Sequence, residues 1–164
     1  MEVPVALQIP LFVKVMSFDR SMTERAGRSH VIAIVFQSKN LASTRAKDDA
    51  VSAIHALPRG VGGVTYRSVI IDIDAETLAA GLRRERSDFL YVTPLRGIDL
   101  RVVATAAEAD GVVTWSSVPS YVSQGMAVGL RRERDRPRIM INLKAARLQL
   151  CNFSAELLKL AHIL

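Results

Sequence analysis

Residues 31–36 read VIAIVF. Six apolar, β-rich residues in a row, bounded by polar ones, suit a strand that is covered on both faces. Strands of that kind lie at the centre of parallel sheets, so this run sets the class of the fold. Downstream, Ser43 or Thr44 can cap a helix that has Asp48 and Asp49 near its positive end. Its buried stripe is Ala46, Ala50, Ile54 and Leu57, and Pro58 and Gly60 stop it. A glycine turn over 60–63 leads to a second strand at 64–73, with 69–71 as its core. Asp74 is placed to cap the next helix, which turns Leu78 and Leu82 inward. A third strand over 88–93 ends at Pro94. A helix at 98–109, a fourth strand at 111–115 and a short helix or turn at 118–124 follow. Residues 126–130 and 139–143 form the arms of a hairpin around a charged turn.

Upstream, Pro10 fits the first turn of a helix that runs to Phe18. That helix is apolar almost all round, with Lys14 as its one charge, so several neighbours or a second subunit must cover it. Residues 19–29 are polar and read as a loop. At the other end, Ser154 caps a last helix with Glu156 in its first turn. Leu157, Leu158, Ala161 and Leu164 recur at helical spacing, and Lys159 and His162 fall at the negative end. Strand and helix alternate at least three times, which requires a parallel sheet with helices on both faces. The expected fold is a three-layer, Rossmann-like α/β sandwich over residues 1–164, with a C-terminal antiparallel hairpin and two closing helices.

Composition narrows the function less. A chain of 164 residues is one domain by length and buries enough surface for its own core. No apolar stretch reaches the roughly 20 residues of a membrane helix. The net charge of +6 favours acidic partners in general, among them nucleic acid, anionic membrane and acidic protein. Cys151 is the single cysteine, so no intrachain disulfide is possible. It packs as a small apolar group between two helices.

The residues with chemical potential have structural explanations. Gly60-Val61-Gly62-Gly63 follows a helix and precedes a strand, the wrong context for dinucleotide binding. His30, His55 and His162 stand apart, without metal-ligand spacing. Asp72 and Asp74 share a strand face and can hold a cation or serve as an acid/base pair; a helix cap and a solvated carboxylate explain them better. The hexapeptide GLRRER occurs at 81–86 and again at 129–134, with different flanks, and reads as coincidence rather than repeat. No cofactor and no metal is expected. Two sets of residues remain. Alternate hairpin positions share a face, so Arg132, Arg134, Arg136 and Arg138 form a basic stripe if the turn is wide. The carboxyl ends of the strands, where open α/β sheets bind ligands, carry Gln37, Ser38, Thr93, Pro94, Ser116 and Ser117.

The C-terminal block carries a resemblance. Asn142-Leu143-x-Ala145-Ala146-Arg147, followed by Phe153-Ser154-Ala155-Glu156-Leu157-Leu158-x-Leu160-Ala161, resembles the closing signature of the YfiR-like family. Leu11-Phe12-Val13-Lys14-Val15-Met16-x-Phe18-Asp19-Arg20 resembles its first helix, in the subgroup that ends in Asp-Arg. Asp88-Phe89-Leu90-Tyr91-Val92 resembles its third strand. The resemblance implies a small bacterial periplasmic protein that represses a membrane-bound diguanylate cyclase by binding its periplasmic sensor domain. Lys14, Asp19, Arg20, Arg132, Arg134 and Arg136 are then the candidate partner contacts. Redox control by a cysteine pair, found in some relatives, cannot carry over to a chain with one cysteine. The implied location is the periplasm, with the signal segment absent from these residues; a true start at Met1 would mean the cytoplasm. The alternative function is a small-ligand module that uses Ser38, Thr93, Ser116 and Ser117. Nucleic acid is a less favoured partner, because Glu85, Glu133 and Asp135 dilute the arginines and no stacking aromatics lie beside them. A homodimer is plausible on the strength of the apolar first helix.

Overall fold

The structure is a computed structural model that describes residues 3–25, 29–60 and 63–164, with backbone alone for 23–25. Parts of the predicted polar loop and of the glycine turn lie outside the described residues. The elements in chain order are α1 (Val5–Met16), a 3-10 segment (Arg20–Arg25), β1 (Ser29–Phe36), α2 (Leu41–His55), β2 (Thr65–Asp72), α3 (Leu78–Glu85) and β3 (Phe89–Val92). There follow α4 (Leu100–Asp110), β4 (Val113–Ser116), a second 3-10 segment (Pro119–Gln124), β5 (Val128–Glu133), β6 (Arg136–Ile141), α5 (Leu143–Leu148), α6 (Ala155–Leu160) and β7 (His162–Ile163). Among the described residues the strands form one sheet, ordered β2-β1-β3-β4-β5-β6-β7. The first five are parallel, β6 runs antiparallel to β5, and β7 is parallel to β6.

The VIAIVF strand takes the position its composition demands. Val31 to Phe36 are all buried, between β2 and β3. One core lies between the sheet and α1 and α2, where Trp115 stacks between Phe12 and Phe89. The other lies under α3 and α4 and contains Ile71, Leu82, Leu90 and Val103. The expected α/β sandwich, hairpin and closing helices are all present.

Several local expectations are corrected. Helix α1 begins at Val5, so Pro10 sits inside it rather than in its first turn. Pro10 and Ala6, whose carbonyl loses the bond that Pro10 cannot donate, are both exposed, and water can take the place of the missing bond. The apolar side of α1 is buried within the chain, through Ile9, Phe12, Val15 and Met16, and needs no second subunit to cover it. Asn40, not Ser43 or Thr44, caps α2, because the Ser43 hydroxyl is turned inward. Thr77, not Asp74, caps α3, because the Asp74 carboxylate is held elsewhere. The last helix stops at Leu160. Ala161 is extended, and His162 and Ile163 continue as an edge strand on β6, so His162 lies on a strand rather than at a helix end. GLRRER is helical from Gly81 to Glu85 and β from Gly129 to Glu133, an override of local preference by tertiary context.

Candidate functional site

In a parallel sheet of order 2-1-3-4-5 the strand order reverses between β1 and β3, and ligands of such folds sit outside the carboxyl ends at that point. Here β1 and β3 end at Phe36 and Val92, so Gln37 and Thr93 meet at the rim. Both are buried and hydrogen-bonded within the protein. The Thr93 hydroxyl lies 2.6 Å from that of Ser43 and donates to the Val35 carbonyl at 2.8 Å. The Ser43 hydroxyl accepts from the Gln37 amide at 2.9 Å. The Gln37 side chain donates to the Arg96 carbonyl at 2.9 Å and accepts from the Arg96 amide at 2.7 Å. Asn40 adds a bond to the Pro94 carbonyl. These contacts tie α2 to the loop after β3.

The predicted rim hydroxyls are mostly turned inward. Ser116 bonds the backbone of Val118, and Ser117 is 1% exposed. Ser38 alone is exposed; its amide donates to Asp72 at 3.1 Å. The paired carboxylates close a loop. Asp72 accepts from the amides of Ser38 and Asp74, and Asp74 accepts from the amide of Lys39 at 2.9 Å. Desolvation would raise the Asp72 carboxyl, but the bonds from Ser38 and Asp74 and the charge of Lys39 together hold it below its ordinary value. Beside this network a cleft of about 390 Å³ is lined by Gln37, Lys39, Asn40, Leu41, Asp74 and Arg96. Deeper in, burial pushes the Tyr91 phenol well up, and its hydroxyl donates to Gln8 at 2.8 Å.

The arginine hairpin is longer and tighter than expected. Glu133 pairs with Arg136, so the turn has two residues, Arg134 and Asp135. Both have positive φ, 47° and 62°, as the favoured two-residue hairpin turns require. The tight turn splits the predicted stripe. Directly opposed residues share a face: Arg131 and Glu133 lie with Arg138 and Arg136, while Arg132 lies opposite Pro137 on the other face. Among the described residues no third strand is paired beyond Gly129 on β5 or before Met140 on β6, so the arms project as a two-stranded ribbon. Arg132 pairs with Asp135, and Glu133 with Arg131 and Arg138. Arg134 and Arg136 are exposed. The Arg132 face meets the start of α1, where Val3, Pro4, Leu7, Arg132, Asp135, Arg136 and Pro137 line a groove of about 230 Å³.

The remaining predicted contacts separate. Lys14 is exposed on the same stripe of α1 as Leu7, two turns or ~10 Å away. Asp19 lies beyond the far end of α1 and is 2% exposed. Its carboxylate accepts from Ser21 and, at 3.0 Å, from the amide of Asn152. Asp19 therefore fastens the C-terminal segment and offers no free contact, while Arg20 next to it is exposed. His30 is fully buried against Tyr66 and Phe89. Among the described residues no group of three or more His, Cys, Asp or Glu can hold a metal. Nor is any helix long and apolar enough to cross a membrane.

Sequence reasoning missed Gln149. It is fully buried, and its side chain accepts from the Thr114 amide and hydroxyl, each at 2.8 Å, and donates to the Gly125 carbonyl at 3.1 Å. Nothing in its neighbourhood in sequence signals a partner 35 residues away.

Comparison with known proteins settles the relationship. The profile of the YfiR/HmsC-like family matches residues 22–162. The chain belongs to the YfiR/HmsC-like family. It is a family of regulatory periplasmic proteins. None of the curated proteins matches the sequence. Among solved structures, the ABC domain in complex with L-Trp from Streptococcus pneumonia is similar, with 13% identity and a TM-score of 0.66 over 98% of this chain and 60% of that one. The ligand-free, open form of a substrate binding protein with adhesive properties from Clostridium difficile aligns at 11% identity and a TM-score of 0.65, over 93% of this chain and 59% of that one. This chain thus spans about 60% of the length of those structures. At such identities the likeness describes the fold alone, and the YfiR/HmsC-like chain shares their α/β architecture.

Proposed function

We propose that the protein is a non-enzymatic periplasmic regulator that binds the periplasmic sensor domain of a membrane diguanylate cyclase, or of a related signalling protein, and holds it inactive. The family match over residues 22–162 carries this reading. The rim geometry supports it: Thr93, Ser43, Gln37 and Ser116 bond to one another or to backbone, and a hydroxyl used that way is poorly placed for catalysis. Co-expression with the sensor-bearing cyclase of the same genome should lower cellular cyclic di-GMP, and the purified chain should bind the purified sensor domain. A sensor domain that does not bind the chain would end the proposal, and unchanged cyclic di-GMP would end its repressive part. Homodimerisation belongs to the same reading, and light scattering tests it.

A second reading is ligand binding at the rim, around Ser38 and the neighbouring Thr93, Ser116 and Ser117. The cleft beside Lys39 and Arg96 favours it, since its two cations outnumber its one carboxylate, Asp74, which already accepts from the Lys39 amide. A thermal-shift screen in which no anion or metabolite stabilises the protein removes this reading.

A further inference from the structure

The hairpin ribbon and the start of α1 together make a surface that no rim residue contributes to. We infer that it docks an acidic protein segment, with one large apolar side chain of the partner seated in the groove between Leu7 and Pro137 and carboxylates of the partner on Arg134 and Arg136. The inference rests on the regulator reading above and names the surface and the partner chemistry that reading needs.

Four observations carry it. First, the groove has an apolar floor, Val3, Pro4, Leu7 and Pro137, with Leu7 55% exposed. Its volume of about 230 Å³ lies below the roughly 300–1,000 Å³ of small-molecule pockets. It suits a single anchoring side chain, the usual centre of a protein interface. Second, charge is one-sided. Five arginines, 131, 132, 134, 136 and 138, face only Glu133 and Asp135 on the ribbon, and those two acids pair with Arg131, Arg132 and Arg138. A second copy of this chain would bring like charge to the same place, whereas an acidic partner complements it. Third, the ribbon stands clear of the sheet, so a partner can reach it without disturbing the core. Fourth, the turn is built from Arg134 and Asp135 at positive φ, where Asn-Gly is the low-cost choice. A side chain kept in that region against its preference points to a use for it.

The test has two arms. In the first, the 15N-labelled chain is titrated with the peptide Glu-Glu-Trp-Glu-Glu, with Lys-Lys-Trp-Lys-Lys and with vesicles of anionic phospholipid. The expected result is amide shifts around Val3, Leu7, Arg132 and Arg136 with the acidic peptide, weakened by salt, and none with the basic one. Leu7→Asp and Arg136→Glu should each weaken binding about tenfold or more. Arg134→Asn, which suits the turn better, should weaken binding while the melting temperature holds or rises, separating a contact role from a structural one. Shifts scattered elsewhere, insensitivity to these variants, or binding of the vesicles but not of the peptide would each overturn the inference. In the second arm the purified sensor domain replaces the peptide. Sensor binding unaffected by the three variants also overturns it. If the sensor domain does not bind the wild-type chain while the peptide binds the groove, the regulator proposal fails and the docking surface stands.

Discussion

Replacing Gln149 by Leu should unfold the protein well below its normal melting temperature. The side chain is fully buried and joins three elements: it holds the amide and hydroxyl of Thr114 on β4 and the carbonyl of Gly125 before β5. Thr114 in turn accepts from the amide of Ala127 at 2.8 Å. Leu fills the volume but bonds to none of these. One buried backbone amide and one part-buried backbone carbonyl are left unpaired, at about 1–3 kcal/mol each, and the Thr114 hydroxyl loses one of its partners. The sum is about 3–5 kcal/mol, against a typical domain stability of about 5–15 kcal/mol. In a chain of this size about 1 kcal/mol moves the melting temperature by about 2–4 °C, so the expected drop is about 6–20 °C. Urea denaturation should show the same loss with an unchanged slope. Thr114→Val gives an independent reading, since it removes one donor and one acceptor of the same network while leaving the amide contact to Gln149. A drop below about 3 °C for Gln149→Leu would refute the reasoning, because it would mean that water or a rearranged backbone satisfies those groups.

Gly81→Ala should destabilise by about 1–3 kcal/mol, since an added Cβ would stand 2.7 Å from the Ile71 Cγ2; chemical denaturation checks it, and Ile71→Ala, which removes that Cγ2, should cost less in the Gly81→Ala chain than in the wild type. Asp19→Ala should release the C-terminal segment, with faster amide exchange over 152–164 than in the wild type, because the Asn152 amide loses its acceptor. Asp72 has a depressed carboxyl in the folded state, so its contribution is present above the unfolded value of about 3.8 and is lost as pH falls through the folded one. Asp72→Asn should therefore lower stability at neutral pH and flatten its fall below about pH 4; an unchanged pH profile would count against the Ser38 loop contacts.

The fold was legible because its signals are local or periodic. VIAIVF identifies a doubly covered strand, Ala46-Ala50-Ile54 one helix face, and Pro94 the end of a strand. What could not be read depended on contacts far apart in sequence. Asp74 has the right chemistry and place for a helix cap, yet it is drawn to the Lys39 amide, 35 residues away, and Thr77 caps instead. Ser43 fits a cap equally well until Thr93, 50 residues on, takes its hydroxyl. The end of α6 failed for a related reason: Leu164 keeps the helical period, but the free edge of β6 offers backbone partners that a short terminal helix cannot match.

The same competition decides which candidate site residues are available. Small hydroxyls at strand ends can serve a ligand or the protein's own turns, and here the turns have taken Thr93 and Ser116. Arginines at a hairpin tip lack that alternative, because a projecting ribbon offers few acceptors. Glu133 and Asp135 engage part of the cluster, and Arg134 and Arg136 extend into solvent beside an apolar groove. On the docking inference above, the ribbon and the first turns of α1 form the surface that meets the partner, and the groove beside Arg136, at about 230 Å³, is better matched to one side chain of a protein than to a whole small molecule.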